Sequence, residues 1–82
     1  MIKLTANEAL TYCLSTQPVE FAVYTSETAG TIRLLDGSTE LHVFTVGQTN
    51  KVTLTLAQGE HEVTAVHSGG ESTNILRVSI GA

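Results

Sequence analysis

The chain has 82 residues, 41% of them hydrophobic, with 8 acidic against 4 basic residues and a formal net charge of −4. That length makes one domain and leaves no room for a second. Lys3, Arg33, Lys51 and Arg77 are too few and too dispersed to neutralise a phosphate backbone or an anionic lipid surface, so nucleic acid and membrane are excluded as partners.

Cys13 is the single cysteine, which rules out an internal disulfide and a cysteine-based metal site, and predicts a small buried or half-buried side chain. The opening Met1–Glu8 lacks the apolar run of a signal peptide, and no stretch approaches a membrane span, so the chain is expected to be made and kept inside a cell.

Ile2-Lys3-Leu4 reads as a short strand. Thr5-Ala6-Asn7-Glu8 has the form of a capping box, which would allow one helical turn. Thr11 to Thr16 favours extended backbone, and Pro18 makes Gln17 extended as well. Residues 1–16 are therefore read as a split first strand or an N-terminal arm.

From Val19 onward apolar residues recur at period two, the mark of half-buried strands. Val19, Phe21 and Val23 share one face of the next strand, and Ile32 and Leu34 point inward on the one after it. Asp36-Gly37 supplies a turn. Thr39 to Val46 leaves two facings open, either Leu41 and Val43 inward or His42, Phe44 and Val46 inward. After the turn at Gly47–Asn50, the Lys51–Leu56 strand would bury Val52, Leu54 and Leu56. Glu60 to His67 places Val63 and Ala65 inside, and Thr73 to Ile80 buries Leu76, Val78 and Ile80.

About seven strands with regularly spaced turns and no helical stretch predict an all-β, immunoglobulin-like antiparallel β-sandwich, with a small closed barrel as the alternative.

Several segments resemble the bacterial and phage immunoglobulin-like (Big-type) repeat domains. They are Gln17-Pro18-Val19-Glu20-Phe21, then Gly30-Thr31-Ile32-Arg33-Leu34-Leu35-Asp36-Gly37, then the run from Thr53 to Ala65 containing Gly59 and His61, then Val66-His67-Ser68-Gly69. The resemblance implies an immunoglobulin-like module and carries no active site. Gly59 permits the turn between two strands. His61 stands where many immunoglobulin-like domains carry a corner tyrosine that bonds back to backbone, so Gly59 and His61 are assigned a structural corner.

No catalytic or cofactor-binding constellation is read from the residues. His61 and His67 lie six residues apart on one strand face, roughly 20 Å along it, and cannot share a metal ion. His42 and His67 are read as surface histidines. Glu60 and Glu62 face outward with no cleft expected between them, unlike a glycosidase pair. No metal site is therefore assigned.

Tyr24, Leu35, Phe44, Val66 and Ile75 fall at or near outward positions and form the candidate interface. The resemblance, the start of the chain and the missing catalytic groups lead to a non-catalytic virion accessory protein of a bacteriophage. Such a protein would decorate a capsid or tail by binding shell subunits, as a homo-oligomer or with weak glycan or host-surface contacts. The alternatives are an immunoglobulin-like spacer or adhesion repeat at the bacterial cell surface, and a carbohydrate-binding module. The last is weakened by the lack of tryptophan, with Tyr12 and Tyr24 alone to stack on sugars.

Overall fold

Alternating β-branched and polar residues form strands because each side chain in turn meets the core or the solvent. The computed structural model describes residues 1–15 and 18–81. Thr16 and Gln17, expected to be extended, lie outside the described residues. Eight strands form: β1 (Ile2–Ala6), β2 (Tyr12–Ser15), β3 (Val19–Thr25), β4 (Thr31–Asp36), β5 (Thr39–Thr45), β6 (Lys51–Leu54), β7 (Gly59–His67) and β8 (Leu76–Ile80).

They make two sheets, one ordered β1-β3-β6 and the other β2-β8-β7-β4-β5, packed as a sandwich. The side chains of Leu4, Val19, Phe21, Val23, Leu34, Val63, Leu76 and Val78 are fully buried between them. Cys13 also lies in this core.

Among the described residues, all strand pairings are antiparallel except β2 with β8, which run parallel with Tyr12 opposite Arg77 and Ser15 opposite Ile80. The cause is a crossing of the N-terminal segment from one sheet to the other. β1 pairs with β3 in the first sheet, and the chain steps across and continues in the same direction as β2 in the second. The capping-box reading fails at this step. Asn7 and Glu8 adopt left-handed backbone, with φ of 48° and 70°, and make a turn closed by reciprocal backbone bonds between Ala6 and Ala9 (3.0 and 2.8 Å). A helical turn needs negative φ at both positions.

One side chain holds the crossing in place. Asn74 accepts the Leu4 N–H at its Oδ1 (3.0 Å), returns Nδ2–H to the Leu4 carbonyl (3.1 Å), and donates to the carbonyl of Leu10 as well. The amide thus acts as a one-residue strand partner for β1. Beside it the ladder of the expected Thr73–Ile80 strand is interrupted, and β8 begins at Leu76. Thr73 is buried, with its hydroxyl taking the Ala65 N–H (2.9 Å) and donating to the Asn74 carbonyl (2.9 Å).

The open facing of β5 is decided by its pairing with β4. The register shifts between Leu34 and Leu35, so that Leu34 opposes His42 while Leu35 opposes Glu40. Leu41 is the extra residue of this β-bulge, and parity changes across it. Phe44 turns inward at 3% exposure and Val43 outward at 44%. Phe44 is therefore a core residue and is removed from the candidate interface. β6 is an edge strand that stops at Leu54, so Val52 and Leu54 are half-buried, while Leu56 beyond it is buried.

Replacing Asn74 with Ala leaves the Leu4 amide and carbonyl of β1 without their partner. The expected outcome is a loss of about 1–3 kcal/mol in stability, read as a lower urea midpoint with an unchanged slope.

Candidate functional site

β7 is the central strand of its five-stranded sheet, and its inward face carries His61, Val63, Ala65 and His67 in sequence. The two histidines sit at opposite ends of this face and never converge. Among the described residues, no three His, Cys, Asp or Glu side chains gather as a metal site.

His61 bonds at both ring nitrogens. Nε2 lies 2.8 Å from the carbonyl of Ala57, four residues upstream, and Nδ1 lies 2.6 Å from Asp36 Oδ2 at the β4–β5 turn. Both partners are acceptors, so the doubly protonated ring satisfies both and the neutral ring satisfies one. The Ala57 carbonyl foremost, then the Asp36 carboxylate, raise the His61 pKa above its ordinary 6.5 against the opposing effect of burial. Gly59, with φ of 123°, makes the turn that brings Ala57 back over the ring.

His67 corrects the surface assignment. It is 8% exposed, because the period-two alternation of β7 continues inward to its last residue. Its Nδ1 accepts the Gly69 N–H (3.0 Å), which puts the proton on Nε2, and that group donates to the Ala29 carbonyl (2.8 Å). Gly30 is required beside it. A Cβ there would sit 2.8 Å from His67 Nε2 and 2.5 Å from Ser68 Oγ, at a φ of 102° that other residues rarely adopt. His42 is half-buried and packs edge-on against Phe44, with ring centroids 4.7 Å apart.

The remaining candidate interface residues do not share one surface. Tyr24 is 51% exposed on β3, on the outer face of the three-stranded sheet. Leu35 and Val66 are half-buried on the outer face of the other sheet, and Ile75 is exposed just before β8. A different cluster is more open. Tyr12 and Leu14 project outward on edge strand β2, with exposed Leu10 before them and Ile75 beside the adjacent β8. Their signal was the alternation of Tyr12 and Leu14 around Cys13, which is buried. Burial pushes the Cys13 thiol pKa up, opposed by a hydrogen bond with the Asn7 side chain.

Next to this strand lies a concavity of about 480 Å³ lined by Tyr12, Glu60, His61, Glu62, Arg77 and Ser79, together with Val78. It offers an aromatic ring, carboxylates, a guanidinium and a hydroxyl. Nothing in this set pairs a nucleophile with a base.

No protein-family model matches the chain, and no curated protein matches it in sequence. A solved structure described as Clostridium thermocellum CbhA fibronectin(III)-like modules is similar to it, with a TM-score of 0.76 and 15% identity over 98% of this chain and 94% of that one. The likeness shows the fold: an all-β, immunoglobulin-like sandwich of the fibronectin(III)-like kind.

The raised pKa of His61 sets the sign of a pH effect. Its stabilisation is complete below the unfolded value of 6.5 and is lost as pH rises through the higher folded value. Urea midpoints measured from about pH 5.5 to about pH 8.5 should fall for the wild type relative to His61→Gln, which has no titrating ring there. Parallel curves for the two proteins would contradict this assignment.

Proposed function

We propose that the chain is a non-catalytic immunoglobulin-like module that spaces or presents the parts joined to it, as a spacer or adhesion repeat at a bacterial cell surface. The position of its ends carries this reading. The Met1 carbonyl accepts the Ser26 N–H (2.9 Å) at one pole, where β3 ends. At the other pole Ile80 lies opposite Gly59 and Ser15. The body between them is 38 Å long and about half as wide, at 21 × 19 Å. Polypeptide joined at both ends therefore enters and leaves along the long axis, the arrangement that strings modules in series. His61 and His67 use their ring nitrogens to hold loops, which supports a scaffold role over chemistry.

The second reading is an accessory protein of a phage particle that binds capsid or tail subunits. It draws on the Big-type resemblance and on exposed Leu10, Tyr12, Leu14 and Ile75 around edge strand β2, a surface suited to apolar and strand-pairing contacts.

An antibody raised against the domain separates the two in fractionated native cells and lysates. Recovery within a longer, surface-exposed polypeptide is the expected result. Co-migration with capsid or tail proteins in fixed stoichiometry would replace the spacer reading with the virion one.

A further inference from the structure

The outer face of the five-stranded sheet is a grid whose rows follow from the strand registers. One row runs Tyr12, Arg77, Glu62 across β2, β8 and β7, and the next runs Leu14, Ser79, Glu60. All of these residues but Leu14 line the concavity of about 480 Å³, a volume within the ~300–1,000 Å³ of small-molecule sites. Tyr12 is 53% exposed and stands at the rim of the sheet, so its ring is open to solvent.

The charged groups here are not engaged with the rest of the chain. Among the described residues, the ion pairs are Met1–Glu71, Arg33–Glu40 and His61–Asp36, and the side chains of Glu60, Glu62 and Arg77 make neither an ion pair nor a hydrogen bond. Three unpartnered hydrogen-bonding side chains and an aromatic ring therefore line one hollow.

We infer that this hollow is a binding site for a short stretch of neutral oligosaccharide. The two signs of charge decide the ligand class. Glu60 and Glu62 repel an anion, and Arg77, standing between Glu62 and the ring, cancels one carboxylate and weakens the attraction for a cation. A sugar ring is neutral and presents hydroxyls that both donate and accept. The carboxylates accept hydrogen bonds from sugar hydroxyls, the guanidinium donates to hydroxyl oxygens, and Ser79 can do either. The C–H face of the ring lies on Tyr12, which supplies apolar contact at the sheet edge. The site sits on one broad face while the chain ends lie at the poles, so it stays accessible in a serial array; shell contacts through Leu10, Tyr12 and Leu14 would cover it, so the inference rests on the spacer reading.

The test is a titration of the isotope-labelled full chain with cellohexaose, xylohexaose and chitohexaose, followed by amide nuclear magnetic resonance up to about 10 mM, a range that reads dissociation constants in the millimolar range. At least one sugar should shift the amides of Tyr12, Glu60, Glu62, Arg77 and Ser79. Tyr12→Ala and Arg77→Gln should each weaken binding about tenfold. Tyr24→Ala, on the opposite sheet, should leave it unchanged. Unshifted spectra with all three sugars would overturn the site. So would unchanged binding in both folded Tyr12→Ala and Arg77→Gln, or an equal loss in Tyr24→Ala.

Discussion

The amide of Asn74 joins three parts of the chain that nothing else brings together so directly. It gives β1 a hydrogen-bond partner at both the N–H and the carbonyl of Leu4, and it reaches Leu10 beyond the turn. Buried or half-buried backbone polar groups left without partners are costly, so a strand entering a sandwich at its edge needs such a substitute. With β1 held, Ile2, Leu4 and Ala6 close one side of the core. The chain can then cross to the second sheet and lay β2 beside β8. The parallel pair, the burial of Cys13 and the outward display of Tyr12 and Leu14 all follow from that crossing.

β7 carries two structural histidines, one near each end. Each ring has two partners at opposite ends of the same strand, but the chemistry differs. His61 faces two acceptors and is stabilised as a cation, whereas the Gly69 N–H makes His67 Nδ1 an acceptor and leaves one proton for Ala29. The Asp36 carboxylate therefore links the β4–β5 turn to the start of β7 by a charge-assisted bond, while a tight approach of Gly30 to the other ring closes the opposite pole. Both poles are fixed by side-chain-to-backbone bonds rather than by a disulfide.

What remains for recognition is the outer surface. On the outer face of the five-stranded sheet, exposed Tyr12 and Leu14 on β2 lie beside the unpaired charges of β7 and β8, and the two meet at Tyr12. The surface of the smaller sheet offers Tyr24 in a separate place, opposite Lys3 on β1. The hollow beside Tyr12 and the two chain ends occupy different parts of the molecule.

Period-two alternation is a local property, and it was sufficient to establish an all-β sandwich, the inward residues of β3, β4, β7 and β8, and the turn at Asp36-Gly37. The same alternation placed His67 inward, although its polarity suggested a surface residue. Pairing is not local. Whether Phe44 or Val43 entered the core depended on a bulge against β4, and the N-terminal segment could be divided between sheets only when β3 and β8 were both in place. Likewise Asn74 reads as a loop residue until Leu4, seventy positions away, is brought against it. Strand identity follows from side-chain period along the chain, while register, crossing and the grid of Tyr12, Arg77 and Glu62 follow from hydrogen bonds between distant strands, which tertiary structure alone decides.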